Sequence, residues 1–258
     1  MAFVNELSKP LLPKGFAAVP LGRRALCTPT SISVIFPAYN EEANIEKSVL
    51  MAREAMSPFF DRLEIIVVND GSADRTREIL DRLVADSSDV RAIHFEKNRG
   101  YGSALRTGLY AARNDLVFFS DSDLQFDLDE IKHLLEWIDQ YEIVAGYREH
   151  RADPFMRRFN AWGWRSLVRL TLGLKVRDID CAFKLFRREV FDKVKLASVG
   201  AMINTELLTR AQQEGMRIKE VPVKHFPRSA GKQTGANLKV IAKAFRELFE
   251  MRSRLRVR

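Results

Sequence analysis

Two aspartates, Asp121 and Asp123, stand one residue apart directly after the apolar run Val117–Phe119. Like charges repel, so a close pair of carboxylates needs a cation or solvent beside it. Carboxylate and amide oxygens are ligands of hard cations such as Mg²⁺ and Mn²⁺, and Gln125 adds an amide two residues later. The pattern favours a metal or ligand site, and the alternative is a surface loop that leads into a helix.

Two other Asp-x-Asp pairs occur, Asp127/Asp129 and Asp178/Asp180. The first pair begins a predicted helix, where acidic side chains suit the positive end of the helix dipole. The second lies in a predicted loop, where the carboxylates serve either as a general base or as hydrogen-bonded loop residues. Only Asp121 and Asp123 follow the end of an apolar strand.

Alternating strands and helices must position these residues. The sequence predicts strands at SISVIF, LEIIVVND, VRAIHFE, LVFFS and YEIVAGY. Helices are predicted between them at residues 40–56, 72–87, 101–113 and 127–140, with Ser72 or Asp74 as the cap of the second. Strands that are apolar throughout and alternate with helices indicate an α/β fold with a mainly parallel, doubly wound sheet.

Polar residues follow each of the first four predicted strands. Because ligands of such folds bind beyond the carboxyl ends of the strands, these four loops are predicted to form one site. The loops are Pro37–Glu41, Asn69–Ser72, Lys97–Gly100 and Ser120–Asp123.

Length and composition predict one domain with two appendages. The 258 residues, 46% of them hydrophobic, are enough for one large core. We expect an irregular arm at 1–30, the main domain at 31–235, and a basic amphipathic helix at 236–258. Within the main domain we expect two halves, 31–125 and 126–235.

The net charge of +8 suggests anionic partners. One alternative is a non-catalytic module that binds nucleotides or nucleic acid. Three of the four predicted site loops contain acidic residues, which would repel nucleic acid.

The sequence has no GxxxxGK[ST] loop, and no GxGxxG follows a strand. Two cysteines, no apolar run long enough to span a bilayer and no export signal predict a cytoplasmic location.

Four successive segments carry a resemblance to a known family. VIFPAYNEEANIEKSV, IIVVNDGSADRTREIL, NRGYGSALRTGL and VFFSDSDLQFD resemble, in order, the signatures of family 2 glycosyltransferases, which have the Rossmann-like GT-A fold. GYR, DIDCAFKLFRREVF and VPVKHFPRSAGKQTG are similar to the branch that acts on dolichyl or polyprenyl phosphate.

The resemblance implies a role for particular residues. It makes 31–125 the nucleotide-binding half of the domain and 126–235 the acceptor half. It places the donor pocket at Pro37, Tyr39, Glu41 and Asp70, and the metal ligands at Asp121, Asp123 and Gln125. It implies that Arg148 and Arg228 bind phosphates. Gln233-Thr234 stand where the branch has a serine-lysine pair, so Lys232 is expected to take over the basic role.

The implied reaction is an inverting, metal-dependent transfer of mannose or glucose to polyprenyl phosphate. The donor would be of the GDP-mannose or UDP-glucose type. The alternative is transfer to a hydroxyl of a sugar or glycolipid, which needs a base, and Asp178 or Asp180 is then the candidate.

The predicted C-terminal helix raises the question of a membrane surface. Its basic residues and an apolar stripe that includes Leu248 and Met251 fit a helix lying in the bilayer interface, together with the segment of Trp162 and Trp164. The alternatives are that the stripe packs on the domain or makes an oligomer contact. The first interpretation predicts a peripheral protein on the cytoplasmic face of the membrane.

Overall fold

A computed structural model describes residues 30–149, 163, 166–227 and 238–255, with the side chains of the last range described from 246 onward. The strands are β1 Ser31–Ala38, β2 Arg62–Asn69, β3 Val90–His94, β4 Leu116–Ser120, β5 Ile143–Arg148, β6 Phe183–Arg187 and β7 Ile218–Val223. The helices are α1 Ile45–Met56, α2 Thr76–Asp86, α3 Tyr101–Ala111, α4 Ile131–Leu135, α5 Val190–Lys193, α6 Ile203–Gln213 and α7 Leu238–Leu255. Residues 166–172 are also helical. The predicted arm at 1–30, except Thr30, and the segment of Trp162 and Trp164 lie outside the described residues.

The strands form one sheet in the order β3-β2-β1-β4-β6-β5-β7. Strand β6 runs antiparallel to β4 and β5, and every other neighbouring pair is parallel. The predicted α/β fold with a mainly parallel sheet is therefore confirmed. Strands from both predicted halves of the domain belong to this sheet.

Helices cover both faces of the sheet. The side chain of Phe36 shares a small cavity with Met51 of α1, whereas a Cβ placed on Gly108 of α3 would lie 2.3 Å from the side chain of Ile35. Neighbouring residues of a strand point to opposite faces, so α1 and α3 lie on opposite sides of β1. All of β1 is buried as a result, which explains its continuous apolar sequence.

The first two helices begin later than predicted. Helix α1 starts at Ile45 and α2 at Thr76, because the residues before each helix form turns that bond to each other. The capping position of α2 is Arg75, so neither predicted cap holds that position, although Oδ1 of Asp74 accepts the backbone N–H of Thr76.

The helix predicted at 127–140 is broken into short pieces. A 3₁₀ turn at Leu128–Glu130 leads into α4, and residues 136–140 form turns. The carboxylate of Asp127 accepts the backbone N–H of Asp129 at 3.1 Å. The Asp127/Asp129 pair therefore begins a helical segment, as the sequence predicts.

The described part of α7 packs on the domain. Leu248, Met251 and Leu255 are buried in the hydrophobic core, and the carbonyl of Leu255 accepts a hydrogen bond from the Gln213 side chain. For Leu248 and Met251 of the predicted stripe, the interpretation that the stripe faces a bilayer is wrong and the alternative of packing on the domain holds, because the domain covers both side chains. Among the described residues, no helix has the length and apolarity needed to cross a membrane.

Candidate active site

The loops after β1 and β2 are bonded to each other at the carboxyl edge of the sheet. The N–H of Asn40 donates to Oγ of Ser72 at 2.9 Å, and the N–H of Ala73 donates to Oδ1 of Asn40 at 2.8 Å. Asn40 has φ of 54°, in the left-handed region that asparagine tolerates better than most residues. These bonds hold the loops of Tyr39 and Asp70 side by side.

Asp70 joins the loop after β2 to the loop after β3. Its Oδ1 accepts the N–H of Arg99 at 2.6 Å, and its Oδ2 accepts the N–H of Gly100 at 2.9 Å. The carboxylate is buried, so these bonds satisfy it and hold the start of α3. Its predicted contact with the donor base would come in addition to this structural role.

The loop after β4 is held against the end of β1. The hydroxyl of Ser122 donates to the carbonyl of Pro37 at 3.1 Å, and Ser48 of α1 donates to the carbonyl of Ser122 at 3.0 Å. Leu124 has φ of 60°, which is rare for a residue with a branched side chain and marks a backbone held by its surroundings. The structure thus brings all four predicted loops to one edge.

The two central carboxylates differ in their bonding. The hydroxyl of Tyr101 donates to Oδ1 of Asp121 at 3.0 Å, whereas Oδ1 of Asp123 accepts the N–H of Gln125 at 3.2 Å. Burial, and then the charge of Asp123, raise the pKa of Asp121 to about 7. The bond from Tyr101 and the charges of Lys184 and Arg148 oppose this shift.

The pair fits a divalent cation that is only partly held by the protein. Among the described residues, no three His, Cys, Asp or Glu side chains lie close enough to form a cage. Two carboxylates at a site of excess negative charge nevertheless match Mg²⁺, which often takes one or two carboxylates and fills its other positions with water and phosphate oxygens. Burial, and then the charge of Asp123, disfavour the ionised form of Asp121, and a bound cation would offset both effects.

Gln125 ties this loop to the chain after β7. Its Nε2 donates to the carbonyl of Phe226 at 3.0 Å, and the N–H of Phe226 donates to the carbonyl of Gln125 at 2.8 Å. This side-chain hydrogen bond uses the amide nitrogen of Gln125. The role of Gln125 as a metal ligand through Oε1 stays a prediction. Arg228 and Lys232, the predicted phosphate-binding residues of the following segment, lie outside the described residues.

Arg148 and Asp178 form a partly buried ion pair at the end of β5. Nε and Nη2 of Arg148 each lie 2.7 Å from an oxygen of Asp178. Burial lowers the pKa of the guanidinium, but the bonds and charge of Asp178 outweigh it and raise that pKa overall. A carboxylate held in this way is a poor general base, so the pair argues against that role for Asp178. Asp180 is exposed, and its charge acts on Tyr101 and Lys184.

The remaining predicted donor residues differ in exposure. Pro37 is buried in β1, whereas Tyr39, two residues later, is 48% exposed. Glu41 is buried, and its Oε2 accepts a hydrogen bond from the side chain of Asn44 at 2.7 Å. Their contacts with a donor stay predictions.

Three residues of the site were not singled out from the sequence: Tyr101, Lys184 and Asn204. Tyr101 is the only aromatic residue in the glycine loop RGYG, and Lys184 is the only charged residue in the apolar run CAFKLF. A charge inside an apolar strand is the signal that would have drawn attention to Lys184, because lysine is rarely buried without partners. Asn204 gives no comparable signal.

A known protein family matches the part of the chain that forms this site. The family model described as Glycosyl transferase family 2 matches residues 33–195, which include Asp70, Asp121, Asp123, Arg148 and Asp178. The chain belongs to glycosyltransferase family 2. The resemblance seen in the four sequence motifs is therefore confirmed.

Several characterised transferases match most of this chain. Glycosyltransferase AglD of Haloferax volcanii is 36% identical over 76% of the chain, and the match covers 33% of AglD. The undecaprenyl-phosphate 4-deoxy-4-formamido-L-arabinose transferase of Edwardsiella ictaluri is 32% identical, over 81% of the chain and 64% of that protein. The dolichyl-phosphate beta-glucosyltransferase ALG5A of Trichomonas vaginalis is 31% identical, over 82% and 70%. The chain thus spans one third to two thirds of the length of the first two relatives.

Solved structures support the fold assignment of this family 2 chain. Glucosyl-3-phosphoglycerate synthase of Mycobacterium tuberculosis, crystallised with UDP, has a TM-score of 0.65 and 24% identity, over 87% of this chain and 80% of that one. The predicted GT-A fold is confirmed by this likeness.

Proposed function

We propose that this chain is an inverting, metal-dependent glycosyltransferase that transfers mannose or glucose from a nucleoside-diphosphate sugar to polyprenyl or dolichyl phosphate. The observation that carries the proposal is the carboxylate pair Asp121 and Asp123 at the end of β4, where burial and mutual repulsion raise the pKa of Asp121 to about 7. Such a pair at the ligand-binding edge of an α/β sheet suits a cation bound to a diphosphate. The donor is of the GDP-mannose or UDP-glucose type.

Asp121 and Asp123 would hold a Mg²⁺ or Mn²⁺ ion, with Gln125 as the third candidate ligand. When bound, the ion supplies Lewis-acid stabilisation of the departing nucleoside diphosphate. Support comes from the glucosyl-3-phosphoglycerate synthase of the same fold, which was crystallised with UDP and either Mn²⁺ or Mg²⁺.

The acceptor is proposed from the relatives and from Arg148. Two of the relatives are named as transferases of dolichyl phosphate and undecaprenyl phosphate. The ion pair with Asp178 uses Nε and Nη2 of Arg148, so Nη1 takes no part in that pair. A guanidinium N–H donor suits a phosphate oxygen. Arg228 and Lys232 are proposed to add further positive charge for the donor or acceptor phosphates.

The state of Asp178 favours a phosphate acceptor over a hydroxyl acceptor. A hydroxyl must lose a proton during attack and needs a general base. A lipid phosphate is already anionic and needs only to be positioned and charge-compensated. Asp178 has both oxygens in the guanidinium fork of Arg148, so it suits the task of holding Arg148 in place.

The two halves of the domain would divide these tasks. Residues 31–125 would bind the nucleotide, with Tyr39 and Asp70 at the base, and residues 126–235 would bind the acceptor. Because the lipid acceptor lies in a membrane, we place the chain as a peripheral protein on its cytoplasmic face. Exposed arginines of α7 would supply basic surface for that contact.

The experiment is transfer of radiolabel from GDP-mannose or UDP-glucose to polyprenyl phosphate in the presence of Mg²⁺ or Mn²⁺. Label should enter the organic phase with one donor, and the transfer should stop in excess chelator. Asp123→Asn should remove most of the activity. Asp129→Asn is the matched control. It changes an exposed residue of the Asp127/Asp129 pair and should leave transfer intact.

Label that stays in the aqueous phase on a soluble sugar acceptor would replace the lipid acceptor by a hydroxyl acceptor. Full activity of the wild-type protein in excess chelator would remove the metal from the proposal.

A further inference from the structure

A buried lysine lies on β6, beside the strand that leads into the carboxylate loop, residues 121–125. Lys184 of β6 has no exposed surface, and its Nζ donates to the carbonyl oxygens of Ile179, at 3.0 Å, and Cys181. The third acceptor is Oδ1 of Asn204, at 3.5 Å. Burying an ammonium group is costly unless it is fully hydrogen-bonded, so this cation is held by a specific set of acceptors.

From Lys184 a line of polar contacts leads to Asp121. The side chain of Asn204, at the start of α6, accepts from Lys184 and also acts on Tyr101. The hydroxyl of Tyr101 donates to Oδ1 of Asp121 at 3.0 Å. The line therefore runs from the ammonium donor to the carboxylate acceptor.

The backbone around Tyr101 is built to place its ring. Gly100 has φ of 95°, and a Cβ added there would lie 2.6 Å from the carbonyl oxygen of Val199. A Cβ on Gly102 would lie 2.5 Å from the carbonyl oxygen of Gly200. The two glycines let the start of α3 approach the segment just before α6, which brings Tyr101 beside Asn204.

We infer that Tyr101, Asn204 and Lys184 are positioning residues that orient the Asp121 carboxylate and thereby set the affinity of the proposed metal site. Groups that hydrogen-bond metal ligands fix their orientation, and losing one typically weakens metal binding by about 10–100-fold. The hydroxyl of Tyr101 suits this task because a phenol keeps its proton at neutral pH and so acts as a donor. The inference rests on the metal-dependent function proposed above.

The test is Mn²⁺ affinity, measured by electron paramagnetic resonance of the full chain with saturating UDP and, separately, GDP. Tyr101→Phe should weaken Mn²⁺ binding by about 10–100-fold. Tyr110→Phe is the control on the same helix, because its hydroxyl bonds to the backbone of Val194 and Leu196 instead of the carboxylate loop. It should leave Mn²⁺ affinity unchanged, whatever it does to thermal stability.

Lys184→Met gives a test of sign. Removing a positive charge near a cation site should strengthen Mn²⁺ binding if only Coulomb repulsion between the two cations matters, whereas loss of the line of contacts should weaken it. Asn204→Ala interrupts the line without changing the charge and serves if Lys184→Met does not fold. It should weaken Mn²⁺ binding as well.

Two failures are distinguishable. If the wild-type chain binds Mn²⁺ and Tyr101→Phe binds it equally well, the inference is overturned and the proposed function stands. If the wild-type chain binds no Mn²⁺ with either nucleotide, the metal-dependent function fails and the inference fails with it.

Discussion

Arg148 and Asp178 meet fork to fork at the end of β5, with both nitrogen–oxygen distances at 2.7 Å. The backbone N–H of Arg148 also donates to Asp178, at 3.3 Å. Thirty residues of chain separate them, and the pairing gives each a partner that its own sequence motif does not reveal. The pair links the predicted phosphate-binding arginine to the predicted base.

Asp178→Asn should lower activity by misplacing Arg148, by about 100-fold if the guanidinium moves by about 1 Å. The pH profile of kcat/KM should keep its shape, because the carboxylate is not the proton acceptor. Measuring that profile for wild type and variant separates the two roles. Loss of an acidic limb from the profile of the variant would restore Asp178 as the base.

Asp121→Asn should stabilise the fold at pH 8 when no metal is present. The pKa of Asp121 is raised from 3.8 to about 7 in the folded chain, so the folded state disfavours the charged form. Its contribution to stability is therefore full below about pH 4 and is lost as the pH rises through about 7. The variant should gain about 1–3 kcal/mol in the free energy of unfolding at pH 8.

Urea denaturation in chelator at several pH values checks this prediction. The gain should shrink steadily between pH 8 and pH 4. Over this range Asp121 of the wild-type protein becomes protonated, first in the folded state and then in the unfolded state. A variant that is less stable than wild type at pH 8 would contradict it.

Asp70→Ala should affect both stability and donor binding. It removes the acceptor of the N–H groups of Arg99 and Gly100, and a hydrogen bond to a charged group contributes about 1.5–3 kcal/mol. If the carboxylate also contacts the donor base, the donor KM should rise more than kcat falls, since such a contact is uniform along the reaction. An unchanged donor KM in folded Asp70→Ala would limit this residue to its structural role.

Charge substitutions on α7 test the membrane contact better than truncation does. Truncation would also remove the core residues Leu248, Met251 and Leu255. Replacing the exposed Arg246, Arg252 and Arg254 with Gln keeps the packing and removes three positive charges. At about 1 kcal/mol for each charge near an anionic surface, binding to anionic liposomes should fall by about 100-fold.

Liposome co-sedimentation at low salt measures this change. The matched control replaces Arg75, Arg77 and Arg82, which are exposed at or near α2, with Gln. That triple variant has the same charge and should sediment nearly as well as wild type. Equal loss in both variants would indicate a general charge effect and contradict a specific role for α7.

The sequence by itself determined the strands of the nucleotide half and the edge at which their loops meet. These features follow from local patterns: apolar runs of strand length, helical spacing between them, and polar residues directly after Ala38, Asn69 and Ser120. Because parallel strands all end at the same edge, local order was enough to predict that the loops meet. The motifs in those loops also carried the family resemblance.

Only the tertiary structure decided how the helices begin and which charges pair. The starts of α1 and α2 depend on the bonds between Asn40 and Ser72, which lie in different loops. The same holds for the ion pair of Arg148 with Asp178, and for the packing of α7, whose apolar stripe could equally have faced a bilayer.

The contacts from Lys184 to Asp121 show the reason most clearly. They join residues of β6, α6 and α3 to the loop after β4, and each contact depends on distances of a few ångströms between segments that are far apart in the chain. Periodicity reports which face of an element is buried, but it carries no information on which polar groups meet there. That choice is made when the elements pack, because each buried donor must then find an acceptor.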